Sequence, residues 1–563
     1  MSIFKKQFKK FNIDGYIVPK NNEYFNEYVH PSEDRLRFIT NFSGSAGFAI
    51  ILKKKNYLFV DGRYTIQAEY QSGKKYKIIT IPDKFPKDII KTSKKIVLGF
   101  DPKLHTEKQL NYFFKIKNVK LKPIEKNLVD LTWLNRPKRK LKPFYSISPK
   151  KTGLKISKKI SLVKNLLNKN KIDYLFVTAP ENIAWVLNIR GHDTNHSPIP
   201  NSRLLISKTG KMIFFSNPKK VRNIKNIKKN TLNEDHLEKI LFKLSNKKIW
   251  LDSLTCSVFY KNFLRTENKI IEKIDPIYFF KSIKNNIEIQ NMKRIHLIDG
   301  IALTKFLFWL KKNFRKKRIS EIFAQRKLES FRKRSLFYKF PSFDTISGSG
   351  PNSAIIHYKA SLKTNRILRN GELYLVDSGG QYEFGTTDVT RTISLNNNSH
   401  NIKNIYTRVL KGHIAVSNFK IKNNSTGSQV DHNARKFLKK INLDYPHGTG
   451  HGVGVFLNVH EGPYSLSKNN KLNLRNGMIL SNEPGYYKKG SFGIRIENLV
   501  YIKKNRFNEL TIAPIEKDLI NKKILNKTEI KWINSYHKKV KKNLFKFMSH
   551  NEKNDLINAC SPI

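Results

Sequence analysis

The run Leu373-Tyr374-Leu375-Val376-Asp377-Ser378-Gly379-Gly380-Gln381-Tyr382-Glu383-Phe384-Gly385-Thr386-Thr387-Asp388-Val389-Thr390-Arg391-Thr392-Ile393 decides how the rest of the chain is read. An apolar segment ends in Asp377, glycine-rich turn chemistry follows, and a second β-rich segment opens at Asp388. A hairpin folded about Tyr382-Glu383 would set the two aspartates side by side on neighbouring strands. Further along, His447-Gly448-Thr449-Gly450-His451-Gly452-Val453-Gly454 has enough glycine to bring the backbone close to whatever its imidazoles face. Glu483 closes a predicted strand over 478–482 and is followed by Pro484, and Glu497 lies in a predicted strand over 493–498 where it shares a face with Arg495. Four carboxylates and one imidazole in one place repel each other unless cations lie among them. Such a set suits hard or borderline divalent ions such as Mn²⁺, two of which can hold a hydroxide and polarise a carbonyl together.

Taken singly, each residue has a structural alternative. Asp377 or Asp388 can cap a turn, Glu483 and Glu497 can pair with Arg495, and His451 can be a hydrogen-bonded core histidine. All five in one order, inside glycine-rich and strand contexts, favour the metal site.

Around this centre the chain reads as several α/β segments. A short helical pattern at Ile3, Phe4, Phe8 and Phe11 leads into a strand at Tyr16-Ile17-Val18-Pro19, and a hairpin follows over 48–60. The glycine-flanked Ser43 and Ser45 lack the G-x-S-x-G spacing of a nucleophile and read as turn residues. Residues 136–153, with Pro137, Pro143 and Pro149 and no periodicity, read as a linker. A second segment repeats the first. Ile172-Asp173-Tyr174-Leu175-Phe176-Val177 echoes Ile13-Asp14-Gly15-Tyr16-Ile17-Val18, and Trp185-Val186-Leu187-Asn188-Ile189-Arg190-Gly191 echoes Phe38-Ile39-Thr40-Asn41-Phe42-Ser43-Gly44. His192 and His196, without acidic company, read as surface or interface residues. Amphipathic helices are predicted over 287–310, 402–416 and 430–441. A helix is also expected around Trp532, and the last dozen residues are expected to be loose.

With 563 residues the chain exceeds one core, and we expect domains at 1–140, 141–284 and 285–510 with an extension at 511–563. The start Met1-Ser2-Ile3-Phe4-Lys5-Lys6 lacks a secretory pattern and no long apolar run follows, which places the protein in the cytoplasm away from membrane. Cys256 and Cys560 are the only cysteines, too few for a disulfide framework or a thiolate zinc cluster. The net charge of +65 would attract polyanions weakly. Because lysine is scattered through every segment, we read that charge as compositional drift and expect no specific nucleic-acid partner.

The five-residue set resembles the ligand set of the pita-bread metallopeptidases. The words Ala354-Ile355-Ile356-His357-Tyr358, Thr386-Thr387-Asp388-Val389-Thr390-Arg391-Thr392, Asn458-Val459-His460-Glu461-Gly462-Pro463 and Asn482-Glu483-Pro484-Gly485-Tyr486-Tyr487 are similar to the three-domain, cytosolic type of Xaa-Pro aminopeptidase. The resemblance implies two tandem creatinase-type α/β domains followed by a pita-bread catalytic domain, and a homodimer. It implies Asp377 on one ion, His451 and Glu483 on the other, and Asp388 and Glu497 bridging both around a hydroxide nucleophile. Mn²⁺ is the expected metal, with Zn²⁺ or Co²⁺ as alternatives. His460 is the expected proton shuttle, His357 and His447 are expected to bind or polarise the scissile carbonyl, and Arg495 to orient Glu497 or the shuttle. The expected substrates are peptides with proline second, whose tertiary amide defeats general peptidases. Alternatives are a prolidase restricted to dipeptides and a metal-free binding protein on the same fold.

Overall fold

The computed structural model describes residues 1–91, 93–396 and 398–563. The chain divides into two compact units, Met1–Phe279 and Phe280–Ile563.

In the first unit the predicted repeat is present strand for strand. Gly15–Pro19 pairs antiparallel with Phe48–Leu52 and parallel with Ile96–Phe100. Its counterpart Tyr174–Val177 pairs antiparallel with Arg203–Ser207 and parallel with Lys248–Leu251. Each strand lies at the centre of a six-stranded sheet, and the two sheets have the same strand order. Helix Ser2–Lys10 buries Phe4 and Phe8 on one face, as their spacing requires.

The linker expected over 136–153 is tethered rather than free. Tyr145–Ser146 pairs with Ile189–Arg190, and Phe144 is buried. Proline and lysine hid this from periodicity, since one anchoring phenylalanine and a two-residue strand leave no pattern. His192 is exposed beside the ring of Tyr145, and the ring of His196 packs edge-on against Tyr28.

The second unit opens with helix Asn286–Asn313, where the amides of Ile287 and Glu288 donate to the side chain of Asn285. Ile295, Ala302, Leu303, Phe306 and Leu310 turn into the core, each such burial contributing about 1.5–3 kcal/mol for the larger side chains. Helices Glu321–Arg332, His400–Ser417 and Gly427–Lys439 accompany a set of small, mostly antiparallel sheets. Ile346–Ser349, Leu373–Ser378 and Val389–Ser394 form one of them. Glu461–Leu466, Gly450–Gly452, Ile479–Asn482, Asn498–Lys503 and Arg506–Glu509 form another, and Gly485–Lys488 pairs with Phe492–Arg495 in a hairpin. This mixed α/β unit has the pita-bread arrangement, and no helix among the described residues is long and apolar enough to cross a membrane.

Three local expectations are corrected. The strand predicted over 493–498 is broken: Phe492–Arg495 and Asn498–Lys503 belong to different sheets, with Ile496 and Glu497 between them. Asp377 pairs with Thr390, not with Asp388, because the residues between the strands form their own hairpin, with Tyr382 opposite Gly385. The final residues are also ordered into helix His550–Ala559. Ser549 and Glu552 cap it reciprocally, Lys305 pairs with Glu552, and Leu556 enters the core.

Candidate active site

Each candidate ligand stands at the end of a strand or beside one, where a backbone leaves a sheet and its side chains can converge. Asp377 is the fifth residue of Leu373–Ser378, and Asp388 directly precedes Val389–Ser394. His451 is the middle residue of Gly450–Gly452, while Glu483 follows Ile479–Asn482 and Glu497 precedes Asn498–Lys503. Asp388, His451 and Glu497 offer ligand atoms that all lie within 4.8 Å of one another. Glu483 joins them through His451, whose Nε2 stands 3.4 Å from Glu483 Oε1 and 3.5 Å from Asp388 Oδ2. Asp377 is attached through Arg495, which donates from Nη2 to Asp377 Oδ2 at 2.6 Å.

The electrostatics of this group are those of a cation site. His451 Nδ1 donates to the carbonyl of Gly452 at 2.9 Å, so Nε2 presents its lone pair to two carboxylates. That arrangement is repulsive unless a proton or a metal lies between. Burial opposes charging the imidazole, yet Asp388 and Glu483 carry its pKa up to about 9. Burial, reinforced by Asp388 and Glu483 and opposed by Arg495, pushes Asp377 up to about 7. Burial and the neighbouring Asp388, Asp377 and Glu483 push Glu497 well above the usual carboxylate range. Asp377 Oδ1 is buried without a hydrogen-bond partner among the described residues. An oxygen- and nitrogen-rich set with an orphaned carboxylate oxygen and, among the described residues, one guanidinium bonded to a candidate ligand carboxylate fits divalent cations.

Of the other predicted residues, His460 lies directly against a candidate ligand. The ring of His460 lies edge-on to that of His451, 4.4 Å between centroids. Glu461, the next residue, is buried between Lys281, at 3.0 Å, and Lys284, and despite burial these ammoniums hold its carboxyl below the usual range. His447 donates from Nδ1 to the carbonyl of Gly448 at 2.8 Å, which leaves Nε2 to accept from Tyr487 OH at 2.9 Å. Half-buried His357 lies in a segment fixed on both sides by Glu321, which accepts from the amides of Ser349 and Arg366 at 2.7 and 2.9 Å and from Tyr358 OH at 2.8 Å. That segment lies against the strand Phe492–Arg495 so closely that a Cβ on Gly493 would meet the carbonyl of Ser353 at 1.9 Å.

The same region matches known proteins along its length. Residues 290–504 match metallopeptidase family M24, and residues 504–563 match the C-terminal region of that peptidase family. Residues 3–131 and 135–288 each match the creatinase/prolidase N-terminal domain. A curated relative from Coprinopsis cinerea, described as a probable Xaa-Pro aminopeptidase P, is 34% identical over 96% of this chain and 94% of its own. The chain belongs to the Xaa-Pro aminopeptidase P family. The X-prolyl aminopeptidase of Caenorhabditis elegans, described as a cytosolic enzyme with a di-nuclear active site, superposes with a TM-score of 0.92 at 30% identity, covering 98% of this chain and 95% of that one. A prolidase from Pyrococcus horikoshii reaches 0.54 at 25% identity, and covers 64% of this chain and 99% of its own.

Within this Xaa-Pro aminopeptidase homologue, two site residues lie outside the sequence reading. Tyr487 OH accepts from Arg495 Nη1 at 2.6 Å while it donates to His447, so one phenol joins Asp377's partner to that histidine. Thr390 Oγ1 accepts from Arg495 Nε at 3.0 Å and donates to Glu497 Oε2 at 2.8 Å. Arg495 thus touches Asp377 directly and meets Glu497 only through Thr390. The signal for Tyr487 was its place in the motif after Glu483. For Thr390 it was the position opposite Asp377, which needed the true register.

Proposed function

We propose that this chain is a metallo-aminopeptidase that releases the N-terminal residue from peptides with proline in second position, acting in the cytoplasm as a homodimer with two Mn²⁺ ions. The observation that carries the reading is the meeting of four carboxylates and His451 in a chain whose full length aligns with Xaa-Pro aminopeptidases. A prolidase aligns with about two thirds of it, which favours the aminopeptidase over the dipeptidase.

Asp377 would hold one ion, His451 and Glu483 the other, and Asp388 and Glu497 both. When bound, the ions supply a polarised carbonyl and a water of lowered pKa. The chain's own groups do the rest. Arg495 opposes protonation of Asp377, and Thr390 fixes one oxygen of Glu497. Tyr487 OH donates to His447 Nε2 and His447 Nδ1 donates to the carbonyl of Gly448, which together fix the imidazole; to present an N–H to the scissile carbonyl, together with His357, His447 exchanges one of these bonds for the substrate. His460, beside His451, carries the proton to the departing proline nitrogen. We propose domains at 1–140, 141–284 and 285–510, and the extension from 511.

Elemental analysis of the purified protein, with release of Arg from Arg-Pro-Pro and from Arg-Pro, tests the reading. Two ions per chain and cleavage of the tripeptide are expected. Cleavage of Arg-Pro alone assigns a prolidase, and absence of bound metal together with inactivity even in added Mn²⁺ assigns a binding protein.

A further inference from the structure

Glu483 and Glu497 lie opposite each other just outside a β-ladder. Strands Ile479–Asn482 and Asn498–Lys503 are antiparallel, and their last pair is Asn482 with Asn498, so each glutamate is one residue beyond the end. Both bear like charge, and the ladder does not set their separation. Their own amides donate to the carbonyls of Thr449, at 2.8 Å, and Thr390, at 3.2 Å, and a further set of contacts reaches the backbone carbonyls at Asn482 and Glu497.

The C-terminal helix Lys527–Leu544 reaches both of them. Trp532 and Tyr536 stand one turn apart on one of its faces, with rings stacked at 5.3 Å and 3°. Tyr536 OH accepts from Arg391 Nη2 at 3.1 Å and donates to the carbonyl of Ala513 at 2.8 Å. Arg391 is 1% exposed, and among the described residues no carboxylate bonds to it. Its guanidinium donates to the carbonyls of Thr390, Ala513 and Pro514, to Asn498 Oδ1, and, at 2.6 Å, to the carbonyl of Glu497. On the other side, the ring of Trp532 meets that of fully buried His413 edge-on at 5.7 Å. His413 Nδ1 donates to the carbonyl of Asn482 at 3.1 Å, and Asn482 Nδ2 returns a bond to the carbonyl of His413 at 2.9 Å. Asn482 is the residue before Glu483.

We infer that the C-terminal helix is part of the metal-site scaffold: Tyr536 and Trp532 hold Arg391 and His413, and these positioning residues fix the spacing of Glu497 and Glu483. The inference rests on the reading of those two glutamates as ligands. A guanidinium that spends its donors on backbone carbonyls is suited to this, because it grips main chain from two strands and the segment after them without neutralising any ligand.

The test uses the full-length protein with Mn²⁺ as probe. Wild type, Tyr536→Phe, Trp532→Leu and Arg391→Lys are dialysed against a series of buffered free Mn²⁺ concentrations, and bound metal per chain and thermal midpoint are measured. Val540→Ala, on the same helix and buried but outside both relays, is the stability control. The three relay variants should need about 10-fold or more free Mn²⁺ for half-loading, the scale found when partners of ligands are removed. Their kcat should approach wild type at saturating Mn²⁺, and Val540→Ala should lower the midpoint without moving the loading curve. Unchanged loading in the relay variants, or an equal shift in the control, overturns the inference while leaving the metal site intact. Wild type with only trace metal overturns the reading of the site itself.

Discussion

Arg495 grips one oxygen of Asp377 at 2.6 Å, and the other oxygen of Asp377 is buried with no hydrogen-bond partner among the described residues. The guanidinium fixes the carboxylate plane, so the free oxygen has one direction in which to point. Replacing Arg495 with Met removes both the plane and the charge that opposes protonation. We expect Arg495→Met to weaken metal binding about 10-fold to 100-fold, with the larger deficit at lower pH. Loading curves at two pH values check this; a deficit independent of pH would show that orientation alone is lost.

Asp388→Asn and Glu497→Gln should each reduce activity to background, because each of these carboxylates is proposed to serve both ions. Bound metal should fall to one ion per chain or fewer. Retention of two ions with activity near wild type would remove the residue from the bridging role.

His460→Ala should keep both ions and the fold, and lose on the order of 10²-fold or more in kcat, the scale of a positioned proton-transfer group. A raised KM with kcat near wild type would make His460 a binding residue. The shuttle would then lie elsewhere.

Tyr487→Phe removes one hydroxyl that both accepts from Arg495 and donates to His447. His447 then keeps its Nδ1–H bond to the carbonyl of Gly448 but loses the partner that orients its Nε2. We expect a loss of about 10-fold in kcat with metal content unchanged, since His447 is not a proposed ligand. Steady-state kinetics beside elemental analysis separates this from a ligand defect.

The metal-free protein should grow less stable as pH rises. Asp377 moves from the usual carboxylate range up to about 7, and Glu497 moves upward too, so the folded chain binds protons that the unfolded chain has released. His451, carried up to about 9, acts in the same direction: its contribution is complete below the ordinary imidazole range and is lost as pH passes about 9. Thermal midpoints of the chelated protein should therefore fall between about pH 4 and pH 9 from these groups. Saturating Mn²⁺ should reverse the trend, since the ions need the same groups deprotonated.

Much of this was legible in the chain. The helix over 286–313 shows itself because Ile295, Ala302, Leu303 and Leu310 repeat at helical spacing, and the duplicated sheets because two segments carry the same apolar words. The five candidate ligands stand out because acids among glycines and strand residues are unusual company. Other features depend on three-dimensional closure. The break at Ile496 and Glu497 looks like continuous strand, since alternation cannot reveal that neighbouring residues join different sheets. Thr390 acts only through the register that sets it opposite Asp377, and a one-residue error in that register hides it. The last helix was missed because Leu556 is its one fully buried anchor, too little for a periodic signal.

The acidic pocket belongs to a chain of formal charge +65, and this has a kinetic consequence. An ion arriving from solution meets the field of the surface cations, screened over about a Debye length, roughly 8 Å at physiological ionic strength, before it meets the four buried carboxylates, whose attraction is screened less. Loading is then slow for an electrostatic reason that equilibrium affinity does not report. Inert salt flattens the outer barrier more than it weakens the buried attraction, so added salt speeds metal uptake in this protein where it would ordinarily slow it.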